Sequence, residues 1–327
     1  MSRGHAFLFY EATCLEPRLP VSGAPPREAT THYFCIREFT RSNNMTQNTS
    51  NAPVALITGA GKGIGRAMVL GLLTKGMRIA AVDRDEQSLL ALKHLAKQFE
   101  HAERLEIFIE DLTRFDAQLL IKRIEDKVGG INILINNAGL GQGQIRNDYH
   151  RHPPKFYDVT PEQWLNAMAV NANTVFLLSQ VVAKRMLGDG WGRIINVTTS
   201  LGTMLRGGYC PYGPTKAAAE GLSAVMASDL AGSGVTVNVL VPGGIVNTPM
   251  IPSEAPFLRD ELIQPEAMLA PLYWLCSSQA NDVTGLRFLA NQWDDRLVGA
   301  EAAKLAGAPI GWKDLAVLPV TPKFKAQ

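Results

Sequence analysis

From Pro53 onward the chain alternates short runs of β-branched and aliphatic residues with segments of helical period, and no other feature restricts the possible folds as strongly. The strand-like runs cover 54–58, 77–82, 105–110, 131–136, 193–198, 235–241 and 286–290, and helical periods fill 64–75, 86–99, 115–127, 161–187, 211–231 and 265–278. Regular succession of strand and helix predicts an α/β fold, a single-domain Rossmann-like doubly wound parallel sheet with helices on both faces, because parallel neighbours need crossovers that helices supply. Sheets of this kind bind ligands beyond the carboxyl ends of their strands. Chemistry is therefore sought at that edge.

The first predicted strand runs into Thr58-Gly59-Ala60-Gly61-Lys62-Gly63-Ile64-Gly65 and then into a helix. Glycines there allow positive φ and let backbone approach a pyrophosphate, while the helix start offers free N–H groups and partial positive charge. A tight turn would use the same glycines, but the strand-loop-helix context is the one a dinucleotide fingerprint requires. The second strand ends at Asp83, about 20 residues past the loop, where a carboxylate can accept hydrogen bonds from ribose hydroxyls and repel a 2′-phosphate. That argues for NAD, with NADP the lesser alternative. Lys62 and Arg84 are basic neighbours that could attract a phosphate, and capping of the next helix is a second use for Asp83.

Further along, Tyr212 and Lys216 stand four residues apart at the start of a predicted helix, which puts phenol and ammonium on one face. A nearby fixed cation stabilises a phenolate, so the pair is expected to lower the phenol's pKa and make it a general acid/base. The same spacing also occurs on solvated helix faces. It gains meaning only beside a bound cofactor.

Together these residues resemble the short-chain dehydrogenase/reductase family over about residues 53–293. Thr58 to Gly65 is similar to its T-G-x-x-x-G-x-G loop, Asp111-Leu112 to the acidic pair beside the adenine, Asn136-Asn137-Ala138-Gly139 to its N-N-A-G, and Tyr212 with Lys216 to its Y-x-x-x-K. Pro242-Gly243, with Ile245 and Thr248 downstream, resembles the segment that closes over the nicotinamide. The resemblance implies an oxidoreductase passing hydride between NAD(H) and a small-molecule secondary alcohol or ketone. It implies Tyr212 as acid/base, Lys216 on the nicotinamide ribose and Asn171 supporting a relay water, with Asn173 two residues off the family position. The cofactor-binding set it implies is Gly59, Lys62, Gly63, Ile64, Gly65, Asp83, Asp111, Leu112, Asn136, Ala138, Gly139, Tyr212, Lys216, Pro242, Gly243, Ile245 and Thr248. An NADPH-dependent carbonyl reductase and a nucleotide-binding regulator with decayed catalysis are the alternatives.

Where the family carries serine, thirteen residues before the tyrosine, this chain has Thr199. The hydroxyl is kept, but the extra methyl stiffens χ1. Ser200 is the alternative; adjacent strand residues face opposite ways, so it could substitute only at an irregular strand end. The long segment 140–158, with Arg146, His150, Arg151 and His152, is expected to rim the site, where it either reads an acidic substrate or is a solvated loop. The opposite rim, 246–260, is rich in proline and small residues, as in the family's mobile lid.

The remaining composition narrows the class. Of the residues 46% are hydrophobic and 19% charged, and the net charge of +2 recommends neither nucleic acid nor an acidic membrane. No uninterrupted apolar run of transmembrane length is present, and no metal-ligand spacing among the four cysteines or near His150 and His152, so no metal site is predicted. Scattered cysteines suggest a reducing, cytoplasmic setting. Residues 1–52, with their prolines and polar stretch, read as a disordered extension in which Met45 could be the true start. Residues 294–327 read as a C-terminal extension, helical over 297–306 and extended from Gly311, packing near the site or on a partner subunit. The family resemblance implies a homodimer or homotetramer joined through its long crossover helices, and the run Ala217, Leu222, Val225 and Met226 is compatible with that.

Overall fold

A computed structural model of the chain describes residues 52–312. The expectations for 1–51 and for 313–327 lie outside the described residues. The strands are β1 Val54–Thr58, β2 Arg78–Asp83, β3 Leu105–Ile109, β4 Ile133–Asn136, β5 Gly192–Val197, β6 Val235–Val241, β7 Leu286–Leu289 and β8 Gly307–Pro309. They form one sheet in the order β3-β2-β1-β4-β5-β6-β7-β8, parallel except for the antiparallel β7–β8 pair. Strand order reverses between β1 and β4, and this is the crevice where such sheets take ligands.

Both faces of the sheet are covered, which is why β1, β5 and β6 are buried at every position rather than at alternate ones. Successive β1 residues serve opposite cores. Ala55 and Ile57 join Met68, Leu72, Leu89 and Leu272 on one side, while Val54 and Leu56 join Leu120, Ile124, Leu178 and Val182 on the other. Each such side chain contributes roughly 1.5–3 kcal/mol when fully buried.

The helices are α1 Gly63–Thr74, α2 Glu86–Ala96, α3 Ala117–Val128, α4 Pro161–Met168, α5 Thr174–Asp189, α6 Leu201–Met204, α7 Tyr212–Asp229, α8 Leu269–Cys276 and α9 Gly299–Ala306. Local sequence sets their starts. Asp85 accepts from Ser88 N at 3.0 Å ahead of α2, Asp116 from Leu119 N ahead of α3, and Thr160 with Gln163 makes a reciprocal capping box ahead of α4. Gly190, at φ +64, ends α5.

The helix expected over 161–187 is interrupted by a wider turn at Ala169–Asn173, where the Thr174 N–H reaches back five residues to the Ala169 carbonyl. The Thr174 hydroxyl donates to that same carbonyl at 2.9 Å, which supports the register change. Such insertions are frequent at functional sites. The composite span Pro161–Asp189 is long and apolar enough, by length and composition, to cross a bilayer, a case that a search for uninterrupted runs misses. Its Val175, Leu178, Val182 and Met186 are buried in the fold, so it is a core element here.

After β7, α9 packs against the domain and β8 adds the antiparallel edge strand.

Candidate active site

The crevice at the carboxyl ends of β1 and β4 opens into a cavity of about 580 Å³. Its first wall is the loop after β1. Thr58 Oγ1 accepts from the N–H groups of Asn137 and Ala138 at 3.1 Å each, and Asn137 Nδ2 donates to the carbonyls of Thr58 and Gly59 at 2.9 and 3.1 Å. The glycine loop is thereby clamped to the segment after β4. At Gly59, φ is +63 and a Cβ would lie 2.8 Å from Ala138 Cα; at Gly65 a Cβ would lie 2.0 Å from the Gly59 carbonyl oxygen. Only glycine permits this closeness.

Among the helices flanking this cavity, α1 begins without a side-chain cap and without an acidic residue in its first turn. Its free N–H groups and dipole face a space that suits a pyrophosphate. The residues fit a dinucleotide on this ground. Asp83 lines the same cavity, and its carboxylate accepts from Gly61 N at 3.0 Å and Asp85 N at 3.1 Å. It is Asp85, not Asp83, that caps α2. Lys62 is committed as well, bridging to Asp85 at 2.6 Å, whereas Arg84 stays exposed on the rim. Asp111, bonded to Thr113 N at 3.0 Å, and Leu112 complete this end.

At the other end stand Tyr212, Thr199, Ser200 and Lys216, with Gly139, Pro242, Gly243, Ile245 and Thr248 around them. The strand expected to reach Thr198 ends at Val197, so alternation does not decide between the two hydroxyls. Capping does. Ser200 is the N-cap of α6, its Oγ accepting from Thr203 N at 3.3 Å and sharing a 2.7 Å bond with Thr203 Oγ1, while Thr199 has no part in that cap and lines the cavity with Tyr212. Burial pushes the Tyr212 phenol's pKa up, and the neighbouring Thr199 hydroxyl opposes the rise. The net direction is opposite to the lowering expected from Lys216. That ammonium donates to the Val197 carbonyl at 2.8 Å, and burial brings its own pKa down to about 8.

Two expected residues have their side chains bonded within the fold. Asn136 is outside the cavity: its amide donates to Asn196 Oδ1 at 2.8 Å and Ser179 Oγ at 3.3 Å, tying β4 to β5 and α5. The asparagine that lines the cavity is Asn137, one residue later, and with asparagine at both positions spacing does not tell the two apart. Asn171, fully buried in the wide turn, spends its side chain on structure, accepting from Leu140 N at 2.7 Å and donating to Leu140 O and Thr215 Oγ1. It anchors the loop after Gly139 against α7, and Asn171 Oδ1 and Lys216 Nζ both lie 3.5 Å from where a Gly139 Cβ would be.

Behind Thr199 lies a buried ion pair whose members are too far apart in the chain for local spacing to reveal. Arg287 Nε donates to Glu220 Oε1 at 2.9 Å, and its Nη2 donates to the Thr199 carbonyl at 3.0 Å. Glu220 also accepts from Thr198 Oγ1 at 2.8 Å and from Gly311 N at 3.0 Å. The C-terminal extension is thus joined to the segment that carries Thr199.

Of the long loop, Arg146 and His152 are both engaged by Asp148, at 2.5 and 2.9 Å, and face away from the role of free cation. Across the mouth, Arg259 donates to the carbonyls of Thr248, Ile251 and Pro252, which fastens the segment after Thr248. Among the described residues no cluster of His, Cys, Asp or Glu could hold a metal ion.

Residues 53–257 match the model of the short chain dehydrogenase family. The chain belongs to that family. As a short-chain dehydrogenase it is an oxidoreductase that exchanges hydride between a nicotinamide cofactor and an alcohol or carbonyl carbon. It is similar to an acetoacetyl-CoA reductase of Rhizobium meliloti, 30% identical over 251 residues, covering 73% of this chain and 96% of the relative. It is 33% identical over 192 residues to the gluconate 5-dehydrogenase of Gluconobacter oxydans, covering 58% of this chain and 70% of that one. Among solved structures, a short-chain dehydrogenase of Shigella flexneri complexed with NADP superposes with a TM-score of 0.65 at 27% identity, covering 75% of this chain and all of that one (100%).

Proposed function

We propose that this short-chain dehydrogenase uses NAD(H) to interconvert a secondary alcohol and its ketone, with Tyr212 as the acid/base. The observation that carries this reading is the convergence of Tyr212, Thr199 and buried Lys216 on the same cavity as the clamped glycine loop. When bound, the nicotinamide supplies the hydride acceptor or donor. Gly59, Gly63, Gly65 and the α1 start hold its pyrophosphate, Asp83 the adenosine ribose, and Lys216 the nicotinamide ribose. In oxidation Tyr212 takes the substrate's hydroxyl proton while Thr199 donates a hydrogen bond to the developing carbonyl oxygen. In reduction the proton runs the other way. Asn171 acts by fixing Leu140, and through it the wall facing Lys216.

Preference for NAD rests on charge. Asp83 faces the cavity as a carboxylate, and the neighbouring cation best placed to offset it, Lys62, is already paired with Asp85. A 2′-phosphate there would meet the Asp83 carboxylate directly, with the exposed Arg84 on the rim as the opposing cation. The Shigella relative holds NADP, so the two cofactors deserve a direct contest. Titration of the full-length protein should give tighter binding of NADH than NADPH, and Asp83→Ser should narrow the gap by roughly tenfold, the worth of one charged contact. Tighter NADPH binding, unchanged in Asp83→Ala, would sink the NAD assignment.

A homodimer or homotetramer through α4, α5 and α7 is part of the same proposal, in a reducing cytoplasm. Leu165, Phe176 and Val225 on those helices are 64%, 45% and 57% exposed, more apolar surface than a solitary subunit gains from showing. Phe176→Glu is expected to convert the assembly to monomers in analytical ultracentrifugation; a wild-type monomer at micromolar concentration would end this reading.

A further inference from the structure

The cavity is electrically divided. Its acidic lining residues, Asp83, Glu110 and Asp111, stand at or just past the carboxyl ends of β2 and β3, on the side assigned to the adenosine. Around Tyr212 the lining contains no carboxylate, and it contains a cation. Arg206, on the segment between α6 and α7, lines the cavity with its guanidinium 5.1 Å from the Tyr209 ring, and Tyr209 stands three residues before Tyr212. Tyr149 meets Tyr209 edge-on at 6.4 Å and stacks on His150 at 3.8 Å. The four side chains therefore form one continuous rim beside the phenol.

Arg206 takes part in no ion pair among the described residues. The contrast with Arg146 matters, because that residue also lies in a rim loop yet is neutralised by Asp148. His150 adds a second, independent sign: its Nε2 is buried without a hydrogen-bond partner, which is costly unless something fills the need. Burial and then the Arg206 charge hold the imidazole's pKa down. The opposite wall, Met250, Ile251 and Pro252, is mostly apolar and suits a short carbon chain.

We infer that Arg206, with His150 beside it, forms a subsite for an anionic oxygen group of the substrate, a carboxylate or a phosphate set a few carbons from the reacting carbonyl. A guanidinium offers paired donors to such a group, and a bidentate charge-assisted pair is stronger than a neutral hydrogen bond. The subsite thereby deepens the oxidoreductase reading and rests on it.

The test uses full-length protein saturated with NADH, or with NADPH if that binds better, and follows ligand binding by nicotinamide fluorescence. The probes are 4-oxopentanoate, its methyl ester, dihydroxyacetone phosphate and dihydroxyacetone. Charged members are expected to bind roughly 10- to 100-fold more tightly than their neutral counterparts, the range of a charge-assisted pair. Which charged probe gains more tells carboxylate from phosphate. Arg206→Gln should bring the charged-to-neutral ratio close to one, and Arg206→Lys should restore part of it, with cofactor affinity and melting temperature unchanged because Arg206 is exposed. Equal binding of charged and neutral probes, no binding by any of them, or a ratio that survives Arg206→Gln would overturn the subsite while leaving the oxidoreductase reading in place. If neither dinucleotide bound, both would fall together.

Discussion

Tyr212→Phe is expected to lower turnover by roughly 10²–10⁴-fold, the contribution of a positioned general acid/base, with cofactor affinity left within a factor of two or so. The substitution removes one oxygen at the point where a proton must leave or arrive, and the ring still fills its place. Thr199 supplies the comparison. Thr199→Val keeps the shape and deletes the hydroxyl proposed to meet the substrate oxygen beside the phenol, so it should cost a large part of the same factor, whereas Thr199→Ser should be close to neutral. Ser200→Ala should instead act on α6, because its hydroxyl caps that helix. Since burial raises the phenol's pKa, oxidation, which needs the phenolate, should become faster as pH rises, and Tyr212→Phe should flatten that rise. Steady-state rates across pH decide the matter: a Tyr212→Phe enzyme with wild-type turnover would eliminate the acid/base assignment.

The largest effect on stability is expected at Glu220. Both members of its pair with Arg287 are buried, and removing one leaves a charge in the interior without its partner. Glu220→Ala should cost about 3–5 kcal/mol, read from the urea midpoint with an unchanged slope. The double variant Glu220→Leu with Arg287→Met should recover much of that, because well-packed apolar residues often replace a buried ion pair without loss. Its turnover should nevertheless stay low. Arg287 holds the Thr199 carbonyl and Glu220 holds Thr198, so a stable protein without the pair still lacks what places the Thr199 hydroxyl. Full activity in the stable double variant would show that Thr199 needs no such support.

Much of this was legible in the chain. The β-α alternation gave the layers and the parallel sheet, since helix and strand periods are properties of a few consecutive residues. The glycine loop could be located because strand, loop and helix are contiguous, and Tyr212 with Lys216 because four residues make one turn. Where the outcome depended on which of two neighbours faces a given side, sequence spacing lost its hold. Asn136 and Asn137 exchange core and cavity roles, and the choice between Thr199 and Ser200 turned on a helix cap rather than on strand alternation. The helix over 161–187 read as continuous, since a single inserted residue in the turn at Ala169–Asn173 leaves the apolar pattern almost unchanged.

The sequence by itself therefore determined the α/β class, the sheet edge at which the cavity opens and the placing of Tyr212 and Lys216 one helical turn apart. The tertiary structure alone decided what surrounds them: that Arg146 is neutralised while Arg206 is left facing the cavity, that Lys62 is paired away from a phosphate, and that Glu220 and Arg287 support Thr199. The division has a physical cause. Periodicity and capping are settled within a turn or two of chain, whereas Glu220 meets Arg287 from 67 residues away and the Gly311 N–H from 91, and only the packing of whole elements brings such partners within reach.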